Sequence, residues 1–229
     1  MDRYGTVGAV IAAAGSSSRM GGRDKLAEPL DGIPVILRTL AAVEAVPEIR
    51  EIVVVTREDR VEEYRRLLGQ CSRLRAVVPG GSTRQESVRN GVRALSPDCT
   101  LAAIHDGARP LVTPEVFARC IEVARSCGAA TAAVPVKDTI KLADEAGRVL
   151  DTPDRSRLWA VQTPQIFDRE RYLRAAEEAE RRGLSCTDDC QLFEAMGWEV
   201  QLVMGDYRNL KLTTPEDFLA AGVYLEGIK

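Results

Sequence analysis

Short runs of apolar residues alternate along this chain with longer segments whose apolar positions recur at helical spacing. Residues 7–12, 51–56 (EIVVVT), 74–78, 101–105 and 129–134 read as strands, the first closed by a Gly/Ser loop. Residues 34–46, 59–68, 84–95 and 114–127 read as helices, the last starting after a capping Thr113 with Pro114 at its first position. Strands joined by helices of this length form a mostly parallel sheet with helices on both faces. After Pro135 the pattern changes. Residues 137–157 are polar, with Asp, Lys and Gly around short apolar stretches, and predict a hairpin projecting from the body. A strand near 158–162, a helix over 169–182, a short helix over 188–196, a strand over 198–203 and a helix over 215–226 follow. No repeat, low-complexity stretch or linker intervenes. The expectation is one domain over 1–229 with an arm at about 136–157.

Composition narrows this reading. A chain of 229 residues, 45% hydrophobic, can bury one substantial core. Its 31 basic and 34 acidic residues balance, so no global field favours nucleic acid or an anionic membrane, and an anionic ligand must be held by a local cluster of cations. The opening MDRYGTVGAVIAAAG has neither the basic segment of a signal peptide nor the roughly 20 apolar residues of a membrane span. A soluble, cytoplasmic protein is expected. The six cysteines form no C-x-x-C pair. Cys186 and Cys190, four apart, could share a helix face and hold a metal, but reduced buried thiols are the ordinary state of cytosolic cysteines. Of the 31 basic residues only five are Lys, and four of those fall in the segments singled out next. Against an Arg-rich background a retained Lys points to a need for a compact ammonium.

Three loops at strand ends carry candidate chemistry. The first runs Ala12-Ala13-Ala14-Gly15-Ser16-Ser17-Ser18-Arg19-Met20-Gly21-Gly22-Arg23-Asp24-Lys25. Small residues after a strand let backbone N–H groups approach an anion, and Arg19, Arg23 and Lys25 would neutralise it. The segment is neither a Walker A loop nor the G-x-G-x-x-G of dinucleotide-binding folds, and a generic Gly/Ser turn is the alternative. The second, Pro79-Gly80-Gly81-Ser82-Thr83-Arg84-Gln85-Glu86-Ser87, enters a helix where backbone atoms and hydroxyls could read a base edge. Plain turn punctuation would look the same. The third, His105-Asp106-Gly107-Ala108-Arg109, puts a carboxylate at the end of an apolar strand. Such a group must be paired or bound to metal. Asp106 is therefore the Mg²⁺ candidate with Arg109 as counter-ion or phosphate clamp, the alternative being a structural Asp106–Arg109 pair. His105 reads as packing. In the second half, Asp138-Thr139-Ile140-Lys141, Arg155, Gln162-Thr163-Pro164-Gln165, Thr187-Asp188-Asp189 and Asn209-Leu210-Lys211 could converge on a second anion, although Thr187 could equally be an N-cap.

With these segments in view, the chain resembles the 2-C-methyl-D-erythritol 4-phosphate cytidylyltransferases of the methylerythritol phosphate route to isoprenoids. The matching motifs are AAG-x3-RM (13–20), GG-x2-R-x2-SV (80–88), HD-x-ARP (105–110), PVKDTIK (135–141), DR-x2-LW-x2-QTPQ (154–165), TDD (187–189) and NLKLT-x-PED (209–217), in order over nearly the whole chain. The resemblance implies a Rossmann-like α/β fold and a homodimer whose β-arms are exchanged. It implies transfer of CMP from CTP to 2-C-methyl-D-erythritol 4-phosphate, with Mg²⁺ as cofactor. Ala13, Ala14, Gly15, Gly81, Ser82 and Ser87 would hold the nucleotide, beside Asp106 and Gly107. Arg19 and Lys25 would contact the triphosphate, and Asp106 would bind the metal. Arg109, Thr139, Arg155, Thr163, Thr187 and Lys211 would receive the sugar phosphate, Thr139 and Arg155 reaching into the partner's site. Arg19, Lys25, Arg155 and Lys211 would be the catalytic set. Three departures from the family pattern stand out: Ser16-Ser17-Ser18 fill a loop within which Gly is usual, Asp24 and Leu26 flank Lys25 in place of Pro and Gln, and Gly107 replaces Ala. The rival readings are a cytidylyltransferase for ribitol 5-phosphate or another polyol phosphate, and a sugar-1-phosphate nucleotidyltransferase. A non-catalytic nucleotide-binding regulatory module is the rival of another class.

Overall fold

The computed structural model describes residues 5–15 and 24–227. In its first half β1 (Val7–Ala12), β4 (Ile49–Thr56), β5 (Leu74–Pro79) and β6 (Leu101–Asp106) are joined through α1 (Val35–Glu44), α2 (Val61–Leu67) and α3 (Arg84–Ala94). A small hairpin, β2 (Pro29–Leu30) with β3 (Ile33–Pro34), precedes α1. Then come α4 (Pro114–Cys127), β7 (Ala129–Pro135), the hairpin β8 (Leu142–Ala143) with β9 (Val149–Asp151), and β10 (Trp159–Asp168). The chain continues through α5 (Arg169–Arg181), α6 (Cys190–Ala195), β11 (Gln201–Met204) and α7 (Pro215–Glu226).

The main sheet has seven strands in the order β11-β7-β10-β6-β1-β4-β5. All neighbours run parallel except β10, which is antiparallel to both β6 and β7. Successive strand residues point to opposite faces, and in β1 this divides the core. Ala9 and Ile11 join the apolar layer of α1, α4 and α7, whereas Val10 joins that of α3, α5 and α6. The second layer sits close. A Cβ on Gly91 of α3 would lie 2.4 Å from a methyl of Val10 and 2.6 Å from one of Val55.

Several elements differ from the sequence expectation. The strand near 158–162 is longer, because β10 continues to Asp168 with its pairing to β7 interrupted between Val161 and Gln165. The helix over 59–68 opens with a 3-10 turn, Glu58–Arg60. Thr113 occupies the N-cap of α4, but its side chain makes no capping hydrogen bond. Asp189, not Thr187, is the N-cap of α6; Cys186 precedes that helix, so it shares no helix face with Cys190. The hairpin within 137–157 leaves Leu142, Val149 and Leu150 exposed. At its base the Lys137 ammonium stacks 3.6 Å from the Tyr207 ring centroid, and the Tyr207 hydroxyl donates to Pro135 O at 2.8 Å.

Candidate active site

The parallel strands β1 and β6 end together, Ala12 beside Asp106 in register. Ligands of open parallel sheets lie beyond such carboxyl ends, and two cavities open there. One, of about 320 Å³, is lined among others by Ala13, Ala14, Gly15, Lys25, Gly81, Ser82, Ser87 and Asp106. The other, of about 430 Å³, is lined by residues that include Arg109, Thr163, Thr187 and Asp188. Arg84, Asp106 and Lys211 line both.

Each wall has a local cause. Gly80 and Gly81 turn tightly over the start of α3, where a Cβ would meet Ser87 Oγ at 2.6 Å or Glu86 at 2.4 Å. Ser87 Oγ accepts from the Gly81 N–H at 3.1 Å and donates to Thr83 O at 2.8 Å, which pins the turn. Thr83 caps α3 by accepting from the Glu86 N–H, an interaction worth about 1 kcal/mol. On the opposite wall Asp24 Oδ1 accepts from the Leu26 N–H at 3.0 Å, and its Oδ2 pairs with Arg60 at 2.8 Å. These bonds hold the segment bearing Lys25, and Leu26 is buried in the core. Gly107 lies beneath, its N–H spent on Ala12 O at 3.0 Å and its carbonyl on Thr39 Oγ1 at 2.8 Å.

Asp106 is the electrostatic centre. Its Oδ2 lies 2.9 Å from Lys211 Nζ and 3.4 Å from Arg109 Nε, and its Oδ1 lies 3.8 Å from Arg84. Burial alone would raise its pKa, but Lys211, Arg84 and Arg109 together hold it well below the usual carboxylate range. The Asp106–Arg109 pair exists, and it is one edge of a larger cluster. The residues around it are tethered together. Arg109 donates to Asn209 O at 2.6 Å, the Asn209 amide donates to Thr163 O at 2.8 Å, and the Leu212 N–H donates to Ala108 O at 2.8 Å. Lys211 sits between the last two anchor points.

His105 packs on Phe117, as expected, and also carries polar contacts. Its Nε2 faces Arg109 O at 3.2 Å, and a carbonyl can only accept, so the proton belongs on Nε2. Nδ1 then accepts from the Thr163 hydroxyl at 3.0 Å, while Thr163 Oγ1 accepts from the Asp106 N–H at 3.0 Å. The Thr163 proton is thereby directed at His105.

The cavities thus gather Ala13, Ala14, Gly15, Lys25, Gly81, Ser82, Ser87, Asp106, Arg109, Thr163, Thr187 and Lys211. Thr139 and Arg155 line neither; both are exposed, and Arg155 donates to Lys137 O at 2.7 Å within its own arm. Arg19 lies outside the described residues, as do Ser16-Ser17-Ser18. The sequence assigns Arg84 no role of its own, and it places Asp189 and Asn209 only within segments that could converge on a second anion. The motifs contained all three residues, but nothing in their spacing showed that Arg84 and Asp189, 105 positions apart, form an ion pair at 2.7 Å.

Two cavities sharing a cationic boundary at the end of a largely parallel sheet suit a pair of anionic ligands. Comparison with known proteins specifies the architecture. Residues 7–227 match the 2-C-methyl-D-erythritol 4-phosphate cytidylyltransferase family. The chain belongs to this family. A curated member from Desulforamulus reducens is 46% identical over 226 residues, covering 97% of each chain, and one from Caldanaerobacter subterraneus subsp. tengcongensis is 45% identical over 96% of this chain and 98% of its own. The crystal structure of 4-diphosphocytidyl-2C-methyl-D-erythritol synthase from Anaerococcus prevotii superposes with a TM-score of 0.87 at 36% identity, over 96% of each chain. The Thermus thermophilus 2-C-methyl-D-erythritol 4-phosphate cytidylyltransferase gives 0.79 at 31% identity, over 96% of this chain and 99% of its own. The family's Rossmann-like α/β fold is therefore that of this chain.

The donor set also bears on a metal. Among the described residues no group of three His, Cys, Asp or Glu side chains is placed to hold an ion. Mg²⁺ needs no such cage, since it commonly takes one or two carboxylates and completes its shell with water and substrate phosphates. Asp106, ionised and facing both cavities, fits that requirement. Among the described residues no helix is long and apolar enough to cross a membrane.

Proposed function

We propose that the chain transfers CMP from CTP to 2-C-methyl-D-erythritol 4-phosphate, giving 4-diphosphocytidyl-2-C-methyl-D-erythritol and pyrophosphate in isoprenoid biosynthesis. The observation that carries this reading is the cluster of Arg84, Asp106, Arg109 and Lys211 at the boundary of two cavities, in a chain of this family. CTP takes the cavity walled by Ala13–Gly15 and the Gly80-Gly81 turn, and the acceptor takes the one walled by Arg109, Thr163 and Thr187.

A phosphate oxygen of the acceptor attacks the α-phosphorus of CTP in line. The new P–O bond forms as the bond to the bridging oxygen breaks, and the electron pair leaves with pyrophosphate. An ionised phosphate is already a nucleophile, so no general base is required, and the neutral His105 is not called on for one. Rate comes from positioning and from charge stabilisation. Lys25 and Arg19 act on the triphosphate, and Lys211 and Arg109 on the acceptor's phosphate. Thr163 orients Asp106 through its N–H. Asp106 would hold Mg²⁺, which supplies charge neutralisation at phosphate oxygens. Thr139 and Arg155, exposed on the arm, reach the acceptor in a second copy of the chain, so the working unit is one domain per chain in an arm-exchanged homodimer.

The test is pyrophosphate release from purified protein with CTP, Mg²⁺ and either methylerythritol phosphate or ribitol 5-phosphate. Release with the first alone, abolished by chelating the metal, is expected. Release with ribitol 5-phosphate alone would keep the mechanism and replace the acceptor. Silence with both would leave a nucleotide-binding module.

A further inference from the structure

Arg84, the first residue of α3, lines both substrate cavities and also a third of about 320 Å³ between α3 and α5. One nitrogen of its guanidinium is 2.7 Å from Asp189 Oδ2, and the other is 3.8 Å from Asp106 Oδ1. Asp189 is 1% exposed. Its Oδ1 accepts from the Tyr172 hydroxyl at 2.8 Å, and its N–H donates to Gln165 Oε1 at 3.1 Å. Tyr172 is fully buried and 17 positions from Asp189, so α5 and the start of α6 hold the carboxylate from behind. Among the described residues Arg84 is the cation paired with it.

One edge of the guanidinium is anchored on a buried acid. The other faces the place where the two cavities meet, at a distance from Asp106 too long for a hydrogen bond. Roughly a third of the side chain is open, 34%, and that part lines the cavities. A planar fork fixed at one edge presents donors at the other with little orientational freedom left to lose.

We propose that Arg84 is a further catalytic residue of the transfer. In this reading, which rests on the function proposed above, its outer edge contacts the phosphate passing between the cavities, and Asp189 and Tyr172 are its positioning residues. Charge builds on the transferring group in the transition state, so the contact acts mainly on kcat. Lysine keeps the charge but cannot hold Asp189 and reach the boundary at once.

The experiment measures kcat, KM for both substrates and thermal stability for Arg84→Lys, Tyr172→Phe and the double variant. Arg84→Lys is expected to lower kcat at least about tenfold and to change either KM less than about threefold. Tyr172→Phe is expected to lower kcat about threefold in the native background and to have no further effect beside Arg84→Lys, because its hydroxyl acts only through Arg84. A normal kcat in Arg84→Lys, a variant that no longer folds, or a Tyr172→Phe effect of equal size in both backgrounds would overturn the assignment. Wild-type protein that releases no pyrophosphate would instead remove the transferase reading, and this assignment with it.

Discussion

At the scale of single residues, the site is organised around two buried groups with opposite protonation habits. Asp106 stays charged because three cations offset its desolvation. His105 stays neutral because burial disfavours the imidazolium, and its pKa is lowered from 6.5 to about 4. A group whose folded pKa is depressed contributes stability that is complete above its unfolded value and is lost as pH falls toward the folded one. His105 should therefore cost the metal-free protein about 3 kcal/mol between pH 6.5 and pH 4. Urea unfolding at pH 7.5 and pH 4 checks this, and His105→Gln should flatten the difference; an unchanged pH dependence would place the acid sensitivity elsewhere. Sequence alone showed Asp106 as a carboxylate that needed a partner and His105 as a packed ring. The Thr163–His105 hydrogen bond joins residues 58 apart and could not be read from either segment.

At the scale of elements, α3 links packing to chemistry. Its first turn carries Arg84 and Ser87, and two turns on Gly91 lies against Val10 and Val55 of the central strands. Alanine there favours the helix by about 1 kcal/mol, while overpacking a core costs about 1–3 kcal/mol. Both methyls in the way belong to buried β-branched residues of β1 and β4, so Gly91→Ala should lower stability and push the head of α3 off the sheet. Thermal unfolding and CTP affinity measured together are the check, with both expected to fall; a stabilised variant would show that α3 tolerates displacement. Most helices were legible because amphipathic spacing survives in a single sequence, and 114–127 and 215–226 match α4 and α7 to the residue. The β2–β3 hairpin was missed although Asp31-Gly32, with φ of 49° and 76°, is the dipeptide that such turns favour. The second part of β10 was missed because its Gln162-Thr163-Pro164 interruption reads locally as an end.

At the scale of the whole molecule, the arm raises the question of which chain completes which site. Arg155 and Thr139 stand away from the cavities of their own chain. In an arm-exchanged homodimer, mixing Lys25→Ala and Arg155→Ala chains regenerates one intact site in each mixed dimer, about a quarter of wild-type activity after random reassortment. Each variant alone should be down at least about tenfold. Mixtures no more active than their components would place Arg155 in its own chain's site. The convergence of distant motifs was invisible in spacing, since Lys211 and Asp106 are more than a hundred positions apart yet 2.9 Å in contact. Only the family pattern made it an expectation. The chain carries a formal charge of −3, so its cations cannot draw anions from afar as a strongly basic protein would. What it has is Asp106, an anion of its own already seated among three cations. With Asp189 seated against Arg84 as well, two carboxylates face three cations, so the cluster keeps a surplus of positive charge at the cavity boundary, and an arriving phosphate competes with Asp106 for cations already engaged.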